Sequence, residues 1–474
     1  MKKKPTAQSA FLSLRVLIGL FIVVAGVCLA LAGLGAFSAL TASMAQAQQK
    51  NKIITNSKDP LVPNGFDCSK IHELGIDKQM SFRAGRIMIA CGQAQGGGTS
   101  AGLLLGPVTR FIKKLFSPLT YGGTDVDLIT GTETFPDTNQ STTFSWGSPD
   151  NPDQIVVAYN DARGAHANPI NGSGASVSTD GGLTFTRLTA ANGQSPFPNT
   201  AGDSVIIYNR PTGTWYTVSQ DAACGYGLGG YKSTTPWDPS PASWSHYGCV
   251  HSSSGGSDER ASGWSDMNQS SPFYGRMYVS WGDFARGGNI FVRYSTDNGN
   301  TWTNERQVTT TFIRNVQITG DLVTGDVYIA GMDEMGGNSN FNRANKIYRS
   351  TDGGNTWTNT YTGPTFVGAH RTNSGYFACM YSNPAYWRHM GSGEPAAYNH
   401  VVSYVYAAAN ASDPGDVFYI RSTDSGVTFS AHFSSTAIPI PLRHSGSLAF
   451  RSAPVAPSLR SGTTSVMAEG HRLA

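Results

Sequence analysis

"STDGGLTF" at residues 178–185 returns as "STDNGNTW" at 295–302, "STDGGNTW" at 350–357 and "STDSGVTF" at 422–429. Each copy reads Ser-Thr-Asp-x-Gly-x-Thr-aromatic and follows a short apolar segment such as "NIFVRY" (289–294) or "VFYI" (417–420). Asp tolerates turn geometry and its carboxylate accepts bonds from the turn's own N–H groups. Gly supplies a positive φ, and the aromatic starts a return strand facing inward. The phrase is therefore a hairpin turn built repeatedly, not a reactive site used four times.

The spacing gives the size of the repeated unit. Asp180, Asp297, Asp352 and Asp424 follow one another in steps of 117, 55 and 72. Midway through the first step, "YKSTTPWDPSPASW" (231–244) carries Ser233, Thr234 and a return aromatic at Trp244, with Thr235 in the place of Asp, and reads as a degraded fifth copy. A second phrase keeps the same phase: "GTWYTVS" from 213, "GRMYVSW" from 275 and "GDVYIAG" from 325 have their glycines 22, 22 and 27 residues before the turn position. Two signals in fixed phase imply a unit of about 55 to 70 residues, enough for four strands. The composition agrees: charged residues are only 14%, while 55 Gly, 20 Tyr and 9 Trp favour strands and tight turns.

The turn phrase resembles the Asp-box, or bacterial neuraminidase repeat, of sialidase-like β-propellers, and the resemblance covers roughly residues 124 to 435. It implies an all-β propeller of about five to six four-stranded blades. It also implies that Asp180, Asp297, Asp352 and Asp424 are structural, between the third and fourth strands of a blade, on the face remote from the ligand. The domains expected are a leader or anchor helix (1–47), a small disulfide-closed segment with a Gly-rich linker (48–123), the propeller (124–441) and an irregular tail (442–474). The loss of pattern near 442 leaves three readings open: a five-bladed ring, closure by "DVDLITGTETF" (125–135), or a last blade truncated or altered in frame.

The first residues put Lys2, Lys3, Lys4 and Arg15 around an apolar run to about Leu40, with Ala45 and Ala47 spaced as for signal cleavage. Either the leader is cut after Ala47, or it stays as an N-terminal membrane anchor with the bulk outside. Val27 before Cys28 speaks against lipidation. Of 34 Lys and Arg against 31 Asp and Glu, those four bases precede residue 48, so the remainder is close to neutral. That excludes a nucleic-acid-binding surface, which needs clustered cations to displace counterions. In an exported chain, local pairing joins Cys68 to Cys91 and Cys224 to Cys249, worth roughly 3 kcal/mol for a loop of this size, and leaves Cys379 as a buried thiol.

If the turns mark one face, the loops between second and third strands and those entering the next blade mark the other. These loops carry Asp161, Arg163 and His166; His251, Asp258, Glu259 and Arg260; Asp283 and Arg286; Asp333, Glu334 and Arg343; and His370 and Arg371. The same placement puts Cys224 and Cys249 on adjacent loops of that face. One reading is an anionic-ligand pocket in which Arg163, Arg260, Arg286 and Arg371 bind substrate, since the guanidinium fork suits a carboxylate. Asp258, Glu259 and Glu334 are then the proton-transfer candidates. The other reading pairs each arginine with the acid beside it.

The resemblance implies glycoside hydrolysis, with three arginines on a sugar carboxylate, a Tyr polarised by Glu as nucleophile and an Asp as acid/base. The family's first arginine phrase, Phe/Tyr-Arg-Ile-Pro, has no copy: "SFRAGRIM" (81–88) offers Phe82 and Arg83 but neither Ile nor Pro directly after them. No catalytic residue is carried over. The two functions expected are thus an exported sialidase-like hydrolase acting on or binding anionic glycans, and a non-catalytic extracellular propeller that binds a glycan or protein. Partners expected are a glycan or cell-surface polysaccharide, with a monomeric chain that meets a membrane only through an uncut leader. No cofactor is expected; Asp125 and Asp127 are a weak calcium signal for an ion that takes 6 to 8 oxygens. The ten histidines show no metal-ligand spacing, and no Gly-x-Ser-x-Gly phrase supplies a serine nucleophile.

Overall fold

The computed structural model describes residues 52–57, 59–79, 81–93, 140–253, 256–334, 343–368, 393–409 and 416–434, and three short strands beyond them. The leader, Asp125, Asp127, His370, Arg371 and Cys379 lie outside the described residues.

The described chain folds as a five-bladed propeller of antiparallel sheets. Blade one is Gln140–Gly147, Ile155–Gly164, Asn171–Ser178 and Thr186–Arg187. Blade two is Val205–Asn209, Thr214–Asp221, Gly227–Ser233 and Ser245–His251. Blade three is Asp258–Ser265, Met277–Asp283, Asn289–Ser295 and Arg306–Gln307. Blade four is Ile313–Gly320, Val327–Asp333, Ala344–Ser350 and Thr358–Thr362. Blade five is Glu394–Tyr398, Val401–Ala409, Asp416–Ser422 and Phe433–Ser434, with Val367–Gly368 pairing on the far half of Val401–Ala409. The first strands of successive blades contact one another around the ring. The tail, expected to be irregular, contains strands Leu448–Arg451, Ser465–Ala468 and His471–Arg472 in one sheet, the first lying against blade five.

The cores lie between blades because each sheet uses both faces. Trp215 packs towards blade one with Val156, Val177 and Ile206, while its neighbour Tyr216 packs towards blade three with Met277, Val279 and Trp281. Successive residues of a strand point to opposite faces, so second strands read as nearly continuous apolar runs.

All four repeated phrases close in the same way between third and fourth strands. The serine hydroxyl donates to the Asp Oδ1 (2.7, 2.9, 2.8 and 2.7 Å) and accepts the N–H of the glycine two residues after that Asp. The Asp Oδ1 accepts the threonine N–H at 2.9 Å in every copy, and Oδ2 accepts its hydroxyl. In the degraded copy Ser233 still accepts the Thr235 N–H, and a turn at Pro241–Ser243 replaces the carboxylate bonds.

These bonds give an acid-dependent stability. The threonine hydroxyl and amide pull the Asp180 carboxyl down to about 2, and the Thr428 hydroxyl and amide hold Asp424 well below its ordinary value. At Asp297 and Asp352 slight burial pulls the other way and the threonine bonds still win. A carboxyl depressed in the folded state contributes fully above its unfolded value near 3.8 and loses that contribution as pH falls through the folded value. The midpoint of urea unfolding is therefore expected to fall between about pH 4 and pH 2. A midpoint flat across that window would contradict the bonding.

The two repeated phrases of the sequence are halves of one contact between blades. Tyr216 of blade two donates to the Asn298 carbonyl in the turn of blade three (2.6 Å), and Tyr328 of blade four donates to the Ser425 carbonyl in the turn of blade five (3.1 Å). The turn glycine lies flat on the ring: a Cβ would stand 3.0 Å from Tyr216 at Gly299, 2.9 Å from Tyr278 at Gly354 and 3.2 Å from Tyr328 at Gly426. Tyr328→Phe keeps the packing and loses one buried hydrogen bond, so it is expected to cost about 1 kcal/mol by chemical denaturation.

Candidate functional site on the face opposite the turns

Towards this face the second strands carry Asp161, three residues before the strand's end, and Asp221, Asp283 and Asp333 at their last positions, all buried. Each acid meets a basic side chain from its own blade. Asp161 accepts from Arg163 (2.7 Å) and Arg187 (3.0 Å), Asp221 faces His246 (2.7 Å), Asp283 binds Arg286, and Asp333 meets Lys346 (2.6 Å). Burial alone would raise the Asp161 carboxyl, but the two guanidiniums hold it below its ordinary value. Asp221 and Asp283 also cap one-turn 3-10 helices that end at left-handed Gly225 and Gly287. Cys224 sits in the first of these turns and is joined to Cys249; Cys68 is joined to Cys91.

Most of the residues singled out in the sequence are therefore engaged with one another. Arg163 is held by Asp161, and Arg286 by Asp283 and Glu305. Glu334 lies between Arg314 (2.7 Å) and Arg343 (3.2 Å), with all three side chains nearly fully buried. Asp258 is fully buried, its Oδ2 2.5 Å from His251 Nδ1, and His251 stacks on Trp281 and lies 3.6 Å from Glu305. Burial raises the Asp258 carboxyl, with Asp283 adding to the rise and His251 opposing it. Glu259 is also buried.

Arg260 differs from these. It sits where the first strand of blade three slips register between Glu259 and Ser262, at φ 51°, partly exposed, with no hydrogen bond or ion pair among the described residues. Positive φ in a residue with a side chain is uncommon and strained. The same device stands in neighbouring blades at Thr142 (φ 55°), Asp203 (φ 55°) and Asn315 (φ 55°), with register slips at the first and last of these. Arg260 and Asn315 each lie 37 residues before their turn aspartates, Thr142 lies 38 before, and Asp203 lies 32 before Thr235. That offset is the only sequence signal for the series, because the four residue types share no chemistry.

A polar side chain ties each blade to the next from blade one to blade five at this level. Asn160 and Asp203 bond reciprocally, with the Asp203 N–H donating at 2.5 Å. Gln220 donates to the Asp258 carbonyl (2.6 Å), Ser262 donates to Gln317 (2.9 Å), and Asn315 donates to the Gly393 carbonyl (2.9 Å). These bonds tie the blades at this level, and Arg260 stands among them partly exposed, its side chain without a partner among the described residues. A guanidinium so placed can bind a carboxylate or sulfate through two parallel N–H bonds.

Among the described residues no group of three or more His, Cys, Asp or Glu is placed to hold a metal ion, and no helix is long and apolar enough to cross a membrane.

No protein-family model and no curated protein sequence matches the chain. Among solved structures it is similar to the leech intramolecular trans-sialidase complexed with 2,7-anhydro-Neu5Ac, at 12% identity and TM-score 0.46 over 75% of this chain and 68% of that one. It is also similar to the intramolecular trans-sialidase from Ruminococcus gnavus in complex with oseltamivir carboxylate, at 12% identity and TM-score 0.45 over 73% of this chain and 93% of that one. A third is the GH74 enzyme of Niastella koreensis, at 16% identity and TM-score 0.40 over 66% of this chain, which spans 42% of that enzyme's length.

Proposed function

We propose that the protein is an exported propeller that binds an anionic glycan at the mouth opposite the turns, with Arg260 as the contact for the ligand's carboxylate or sulfate. The observation that carries this reading is the half-buried guanidinium of Arg260, held at a strained backbone position without a partner among the described residues. A structural arginine would be paired, as Arg163 and Arg286 are. The two disulfides fit an oxidising compartment. Together with the leader-like start they support export.

A second reading, hydrolysis of a sialoside, is favoured by one observation. Asp258, two residues from Arg260, is a carboxyl that burial biases towards its protonated form, as a general acid requires. Against it, every displaced phenol among the described residues is pushed up by burial. Tyr404, beside Glu394, is fully buried and donates to Asn345, out of reach of a sugar.

Turnover of a fluorogenic sialoside and retention on sialylated, sulfated and neutral glycans, measured on the same preparation, separate the readings. Binding of acidic but not neutral glycans without turnover supports the first; turnover lost in Asp258→Asn supports the second. Failure to hold any acidic glycan would sink both.

A further inference from the structure

The disulfide-closed segment before the propeller reads in the sequence as a spacer. In the structure residues 52–93 form a small unit with its own core of Ile54, Val62, Ile71, Ile76 and Ile87, closed by Cys68–Cys91 and carrying helix Phe82–Ala90. The unit sits on the face opposite the turns. Leu61 is fully buried against Ile170 and Ala201, with Ala222 and Tyr226 beside them. Arg83 lies over the Tyr226 ring at 4.2 Å and donates to the Gly256 carbonyl, and a Cβ at Gly256 would collide with it. Arg86 donates to His166 (3.0 Å), Tyr226 donates to the Pro60 carbonyl (3.3 Å), and a Cβ at Gly75 would stand 3.3 Å from Phe284.

These contacts span the loops of blades one, two and three. They also cover the two connections, at Ala201 and Gly256, that run directly into Asp203 and Arg260. The joint is built like a protein interior, with a fully buried leucine, a stacked buried guanidinium and close backbone approach, rather than like a tether.

We propose that residues 52–93 are a docked cap that walls the mouth on the side of blades one to three and sets the size of ligand that reaches Arg260. The proposal rests on the reading of that mouth as a glycan site. With the cap in place a short anionic sugar enters from the uncovered side, whereas a long chain cannot lie across the face. The cap is thus the specificity-determining element of the site.

The test undocks the cap in the full-length protein with Leu61→Asp, which puts a charge in the fully buried contact, and separately with Arg83→Ala. Deuterium exchange reads the docking, and affinities for a sialylated trisaccharide and for long polysialic acid read the selection. The proposal expects faster exchange at 201–204 and 256–260 with turn-face peptides unchanged. It also expects trisaccharide affinity within about twofold of wild type and polysialic acid affinity raised about tenfold or more, near 1.4 kcal/mol. Faster exchange with an unchanged ratio of the two affinities would overturn size selection. Unchanged exchange at 201–204 and 256–260 in both variants would overturn the cap itself. If neither glycan binds any of the proteins, the glycan reading fails and size selection with it, and the exchange data alone then decide whether the unit shields the mouth.

Discussion

Arg260→Gly is expected to bind an anionic sugar at least about 30-fold more weakly than wild type while unfolding at the same or a higher urea concentration. The loss follows from removing a two-pronged charged hydrogen bond, worth about 2 to 3 kcal/mol. The stability follows from the backbone: a side chain at positive φ costs about 1 to 2 kcal/mol, which glycine relieves while adding back part of it as unfolded-state entropy. Arg260→Lys keeps the charge without the fork and is expected to fall between the two in affinity. Isothermal titration and chemical denaturation on the same samples read both quantities. Opposite signs for binding and stability are what a residue retained for a ligand produces. A drop in stability with affinity intact would make Arg260 a structural residue instead.

The second large effect belongs to the structural charge of the same face. Asp161→Asn leaves the Arg163 and Arg187 guanidiniums without the carboxylate they share, in a site where the acid is fully buried. Breaking a buried ion pair from one side costs about 3 to 5 kcal/mol, and that loss is expected in urea at neutral pH. Because Asp161 is held below its ordinary value, its contribution is complete above the unfolded carboxyl range and fades in acid. The gap between wild type and variant should therefore narrow towards low pH. An equal change for Asp161→Asn and for the partly exposed turn residue Asp352→Asn would mean that burial does not set the cost of losing the carboxylate.

The sequence shows the two faces of the ring more readily than what each residue on them does. The turns are legible because their geometry demands particular residues: an acid with two free oxygens, a glycine at positive φ and a threonine with a hydroxyl to donate. The Gly-x-x-Tyr phrase is legible for a related reason, since Tyr216 and Tyr328 reach the turn of the next blade and must keep its phase. The pairing Cys224–Cys249 is legible from nearness in sequence and from loop placement. What stays hidden depends on contacts far apart in the chain. Arg187, which shares Asp161 with Arg163, stands on a different strand 26 residues on from that acid. Glu334 looks like an available acid until Arg314 folds back on it. The positive-φ positions Thr142, Asp203, Arg260 and Asn315 share a backbone shape and no residue type. The docking of Leu61 against Ile170 and Ala201 joins segments with no common pattern, so the cap reads as a spacer.

Ligand is expected to bind on the face opposite the turns and against Arg260. A crystal structure of the protein soaked with a sialylated trisaccharide tests it most directly. The expected result is the sugar carboxylate within hydrogen-bond distance of the Arg260 guanidinium, beside Asp203 and Asn315. An ordered sugar on the turn face, or on this face with Arg260 turned away from it, would contradict the account.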